Sequence, residues 1–177
     1  GVALDELAVL GELELGSLAA HAPLVCITGT NGKSTTTDLV GALLRATGRE
    51  VAVCGNIGRA ICEVAESVSA QGVLVVEVSS FQLETVSRLR PYIATWLNLT
   101  PDHLDRHGSL EVYGDMKARL FERQTEDEWA VRNAEDAEVL RRVSGAGSPL
   151  LFSAQHEVAE GAGLAEHELV LAWRGGR

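Results

Sequence analysis

Lys33 and Ser34 stand side by side in the run ITGTNGKST, residues 27–35. An ammonium and a hydroxyl directly after a glycine suit a triphosphate. The lysine can face the β- and γ-phosphates, the hydroxyl can reach Mg2+, and a glycine-rich turn can lay its N–H groups along the oxygens. The usual spacing, G-x-x-x-x-G-K-[ST], asks for its first glycine at position 27. That position holds Ile27, and a glycine comes two places later, at Gly29. Read as a phosphate loop, Gly29, Thr30, Asn31, Gly32, Lys33, Ser34 and Thr35 wrap ATP or GTP, and the loop alone does not say which reaction follows. The plain alternative is a strand-to-helix turn with a chance GKS.

Two further sites carry chemistry. Glu77 follows the apolar run Val73–Val76, where a parallel strand delivers its carboxyl end to a ligand crevice. A carboxylate there can hold the Mg2+ that Ser34 also touches, although most P-loop enzymes use Asp. A solvated strand-end carboxylate is the alternative. His103 lies in LNLTPDHLDRHG, residues 97–108, between Asp102 and Asp105. Imidazole beside carboxylates suits a second metal or a proton-transfer role, whereas a loop histidine with no such role is simply solvated. Tyr113 and Lys117 are four residues apart on the next helix and share a face; on spacing alone that lysine reads as a surface residue.

These residues need a scaffold. Leu24–Thr28, Val51–Cys54 and Val73–Val76 are short apolar runs that read as buried strands. Ile93–Leu99, Glu128–Val131 and Leu150–Phe152 follow as further strands. Helical spacing marks Ser34–Thr47, ended by Gly48, and the stripe Ile61, Val64, Ala65, Val68. It also marks Phe81–Arg90, stopped by Pro91, a helix capped by Ser109 and running to about Glu122, and Glu135–Val143. Residues 100–108 read as a polar loop. Strands alternating with helices predict an α/β fold, a P-loop, Rossmann-like, mostly parallel sheet with helices on both faces. Leu169–Trp173 predicts a small antiparallel appendage near the C-terminus.

Composition narrows the function. With 177 residues, the chain is one domain or slightly more. A formal net charge of −10 argues against a general nucleic-acid or anionic-membrane binder, while backbone N–H groups can still bind a local phosphate. No apolar run is long enough for a membrane span, and the acidic first twenty residues do not form a signal peptide. Cys26, Cys54 and Cys62 lack metal-ligand spacing and read as buried free thiols in a reducing cytoplasm.

GTNGKST, then VVEVSSFQLE, then LNLTPDHLDRHGS with Tyr113 and Lys117 beyond, in this order, resembles the Mur ligase family of cell-wall enzymes. That family's loop has the form G-T-x-G-K-[ST], so Ile27 is its own variant. The resemblance covers roughly Leu10 to Phe152. It implies ATP-driven amide formation: the γ-phosphate passes to a carboxylate, an amine attacks the acyl phosphate, and phosphate leaves. SSFQLE at 79–84 and Gly55-Asn-Ile-Gly58 resemble the member that adds D-glutamate to UDP-N-acetylmuramoyl-L-alanine. The family implies Ser34 and Glu77 on a first Mg2+, and His103 on a second. It implies a carbamylated Lys117 whose added carboxylate-like group faces metal, and Asn56, Ser79 and Gln82 on the UDP-muramoyl substrate. Lys33, His103 and Lys117 are the expected catalytic residues. Met116 stands where the family usually has alanine.

On this resemblance, residues 1–20 are expected to end a linker from an N-terminal UDP-binding domain. Residues 21–177 are expected to form an incomplete central ATP-binding domain without the C-terminal domain, monomeric and inactive alone. Two other readings stay open: another Mur ligase or a folylpolyglutamate synthase, and a non-catalytic nucleotide-binding module.

Overall fold

A computed structural model describes residues 10–173. Its centre is one sheet of eight strands in the order β2-β3-β1-β4-β5-β6-β7-β8. The strands are β1 (Leu24–Thr28), β2 (Val51–Gly55), β3 (Val73–Glu77), β4 (Ile93–Trp96), β5 (Trp129–Asn133), β6 (Ser148–Phe152), β7 (Gly161–Ala165) and β8 (Glu168–Ala172). Every pairing is parallel except β7 with β8. The antiparallel element is therefore a hairpin that extends the main sheet at its edge. Strands β1 and β3 are buried along their whole length, as expected for central strands covered on both faces.

The helices are α1 (Glu12–Ala19), α2 (Lys33–Ala46), α3 (Ser80–Leu83), α4 (Leu104–His107), α5 (Leu110–Ala118) and α6 (Ala137–Arg142). One face of the sheet, through Cys26, Cys54, Val76 and Trp96, packs against Leu13 of α1, Leu83 of α3, Tyr113 of α5 and Val139 of α6. The other face, through Val25, Ile27, Val73 and Val75, packs against Val40 and Leu44 of α2. Among the described residues no helix is long and apolar enough to cross a membrane.

Several expected elements differ. The Ile61–Val68 stripe is a 3-10 turn at Ile61–Glu63 followed by turns; its apolar residues are buried, but no regular α-helix forms. The expected helix Phe81–Arg90 stops after one turn, at Leu83. The reason lies far away in sequence. The Glu14 carboxylate, wholly buried on α1, accepts from the backbone N–H groups of Ser87, Arg88 and Leu89 and from the Ser87 hydroxyl, at 2.7–3.1 Å. Amides turned towards one carboxylate cannot continue a helical ladder. Strand β4 ends at Trp96, short of Leu99, and the polar loop contains the single turn of α4. Cys26 and Cys54 are buried as expected, but Cys62 is exposed, with its thiol against the Glu12 carbonyl.

Candidate functional site

The chain leaves β1 at the centre of the sheet, turns through residues 29–32, and enters α2 at Lys33. β1 sits between β3 and β4, so the turn opens where strand order changes direction, the usual crevice of such sheets. Gly32 caps α2 at φ +81, a left-handed conformation that favours glycine. The Asn98 amide holds the turn: its Oδ1 accepts from the N–H groups of Thr30 and Asn31 at 3.0 and 2.9 Å, and its Nδ2 donates to the Asn31 carbonyl. The Thr30 hydroxyl donates to the Thr100 carbonyl and accepts from the Thr100 N–H. Asn98 was not singled out from sequence; its place just beyond β4, beside the loop's own strand, is the signal that could have marked it.

Lys33 Nζ lies over the concave side of the turn, 3.0 Å from the Gly29 carbonyl and 2.9 Å from that of Thr30. A second lysine nitrogen comes from α5. Lys117, expected from spacing at the surface, is 1% exposed, and its Nζ donates to the same Gly29 carbonyl at 2.9 Å. Burial, reinforced by the Lys33 charge and opposed by Asp102, brings its amine down to about 7. Tyr113 carries Lys117 Nζ 4.6 Å above its ring, so the four-residue spacing does bring the two together.

On the β3 side of the turn stands Glu77, paired in register with Ile27 and Gly55. The side chain is 2% exposed, which excludes the solvated strand end. Gly55, at φ +112, has no room for a Cβ against the Glu77 carbonyl. Asn56 Nδ2 donates to Glu77 Oε1 at 2.9 Å, while Glu77 Oε2 has no partner. A buried acceptor left without a partner is costly. Glu77 and Ser34 line one cavity of about 250 Å3, together with Thr37, Asp38 and Arg59. A carboxylate and a hydroxyl lining one confined space fit a hard cation that takes its other ligands from water and phosphate. Among the described residues no group of three or more His, Cys, Asp or Glu gathers as a metal site.

His103 lies on the opposite, β4 side. Its side chain is 46% exposed, with Nε2 3.6 Å from Asp102 Oδ2. Its backbone is left-handed at φ 51, a conformation that non-glycine residues adopt mainly where surrounding structure enforces it. The ring packs on Phe81 and edge-on to Tyr113, with centroids 5.0 and 6.1 Å apart. Lys33, Lys117 and, through Tyr113, His103 thus form one group, and Ser34, Glu77 and Asn56 form another across the turn. Ser79 and Gln82 are engaged with each other. The Ser79 N–H and hydroxyl both donate to Gln82 Oε1, and the Gln82 N–H donates to Ser79 Oγ, a capping box at the start of α3.

A strand, a glycine-bearing turn with a lysine over it, and a helix start opening on a carboxylate-lined cavity have the layout of a P-loop α/β domain. The chain belongs to the Mur ligase family, whose middle domain matches residues 27–169. A UDP-N-acetylmuramoylalanine–D-glutamate ligase of Geotalea daltonii is 45% identical over 94% of this chain, which spans 37% of that relative's length. Among solved structures, a UDP-N-acetylmuramoyl-L-alanyl-D-glutamate–2,6-diaminopimelate ligase superposes with a TM-score of 0.66 at 26% identity, over 82% of this chain and 34% of its own. The MurF ligase of Thermotoga maritima, in complex with ADP, gives the same TM-score at 21% identity, over 82% and 36%.

Proposed function

We propose that this chain is the nucleotide-binding core of an ATP-dependent ligase that joins D-glutamate to UDP-N-acetylmuramoyl-L-alanine through an acyl phosphate. The observation that carries this reading beyond a generic nucleotide site is the buried Lys117 amine hydrogen-bonded to the phosphate turn at Gly29. The D-glutamate ligases at 42–49% identity support the choice of substrate.

A carboxylate is a poor electrophile, and phosphorylation gives it a leaving group. In the first step a substrate carboxylate oxygen bonds to the γ-phosphorus, and the bond to the β–γ bridging oxygen breaks, releasing ADP. In the second, the D-glutamate nitrogen bonds to the acyl carbon, loses a proton, and inorganic phosphate departs. Residues 29–35 wrap the phosphates, and the Lys33 ammonium balances charge on the group in flight. Ser34 and Glu77 would hold one Mg2+, and His103 and Lys117 would face a second; such cations would supply charge neutralisation to converging anions. An amine near pKa 7 is neutral in a substantial share of molecules at physiological pH. Its nitrogen can therefore bond to the carbon of CO2 and release a proton, leaving a carbamate in place of an ammonium. Asn56 fixes the Glu77 rotamer, and Asn56, Ser79 and Gln82 border the sugar-nucleotide substrate. A reaction fed by ATP points to the cytoplasm, and we assign the chain as a monomer.

The test is phosphate release by the whole protein containing this chain, with UDP-N-acetylmuramoyl-L-alanine and ATP. Release that requires D-glutamate is expected. Release that diaminopimelate or a folate supports equally well contradicts the reading.

A further inference from the structure

A buried contact lies beside the rings that pack on His103 and Lys117. Ser80, at the start of α3, and His107, at the end of α4, are both buried, and Ser80 Oγ lies 3.0 Å from His107 Nε2. Glu84 Oε1 faces His107 Nδ1 at 3.9 Å. The Ser80 hydroxyl donating to Nε2 satisfies that nitrogen and leaves Nδ1–H on the Glu84 side, beyond hydrogen-bond range of the carboxylate. Phe81 stacks on the His107 ring, with centroids 5.5 Å and planes 12° apart, and also packs on His103. Tyr113 lies 5.2 Å from the His107 ring and carries Lys117.

α3 and α4 are one turn each, and helices that short do not hold themselves in water. The place of His103, at the head of α4, therefore depends on tertiary anchors. Of the side chains described, the Ser80–His107 pair joins α3 to α4 in the interior, while Glu84–Arg106 joins them at the surface. The pair also ties the SSFQLE segment to the DHLDRHG segment, two strings that sequence spacing leaves unconnected.

We propose that His107 is a positioning residue: bonded to Ser80, stacked on Phe81 and packed at a tilt against Tyr113, it fixes the His103 imidazole and the Lys117 amine without touching substrate. This rests on the reading of His103 and Lys117 as working groups. The test uses this chain in 13C-labelled bicarbonate, followed by NMR of the lysine carbamate and of the histidine rings. The carbamate resonance is expected in the unsubstituted chain and absent in Lys117→Met. Ser80→Ala and His107→Ala are expected to lower its occupancy about fivefold, the scale of one hydrogen bond, and to shift the His103 ring resonances. His107→Gln, whose amide can reach Ser80 Oγ, is expected to restore most of both. A merely structural role would lower the melting temperature and leave occupancy and His103 shifts of the folded protein unchanged, and that result overturns the proposal. Should His107→Ala not fold, Ser80→Ala, which removes one hydroxyl, decides. Should the unsubstituted chain form no carbamate, the reading of Lys117 fails on its own, and the His103 shifts in Ser80→Ala settle whether His107 positions that ring.

Discussion

Replacing Lys117 with methionine should make the protein more stable at neutral pH, and by an amount that depends on pH. Methionine keeps the aliphatic stem and removes the charge. The folded amine sits at about 7 against an ordinary 10.5. Keeping it protonated in the fold below pH 7 therefore costs roughly 4–5 kcal/mol, at about 1.4 kcal/mol per unit. Against this stand the bond to the Gly29 carbonyl and the contact with Tyr113, together worth about 2 kcal/mol. The net expectation is a gain of about 2–3 kcal/mol at pH 6, or a urea midpoint higher by about 1 M. The sign follows from proton counting. Between pH 7 and 10.5 the unfolded chain binds the proton and the folded chain does not, so the stability of the unsubstituted protein rises with pH through that window. The gap to Lys117→Met should therefore be widest at pH 6 and close towards pH 10. Urea unfolding at pH 6, 7.5 and 9 in CO2-free buffer measures it, and added bicarbonate should stabilise only the lysine form. A gap that is absent, or equal at all three values, refutes the buried, depressed amine.

Glu14→Ala leaves the amides of Ser87, Arg88 and Leu89 facing an apolar gap. A loss of about 3 kcal/mol is expected in chemical denaturation, while Glu63→Ala, at an exposed ion pair, should change stability by less than about 0.5 kcal/mol. Gly32→Ala imposes a side chain at φ +81. It should cost about 1 kcal/mol of stability and weaken ATP-analogue binding in calorimetry, since the strained residue lies in the phosphate turn.

The site's backbone is legible in sequence because it is local. Leu24–Thr28, the glycines and the helix start stand in one continuous run, and β1, α2 and β3 fall within a residue or so of the expected limits. What sequence hides is what distant segments do to each other. Nothing in the spacing of Lys117 says that its amine is buried against Gly29. Nothing near Phe81–Arg90 says that Glu14 captures the amides that would have continued that helix. β7, Gly161–Ala165, reads GAGLA, with no β-branched residue to mark it; its pairing with β6 and β8 makes it a strand. Ser79 and Gln82 are expected from the family resemblance as substrate contacts; their spacing also fits the S-x-x-Q capping box, and the hydrogen bonds display that role.

The central claim is that Lys33, Ser34 and Glu77 gather around one magnesium–nucleotide complex. A crystal structure of this chain with a non-hydrolysable ATP analogue and Mg2+ tests it most directly. Lys33 Nζ should leave the Gly29 and Thr30 carbonyls for a phosphate oxygen, with the ion bound between Ser34 Oγ and Glu77 Oε2. A nucleotide bound elsewhere, with Lys33 still on those carbonyls and Glu77 remote from the metal, would contradict it.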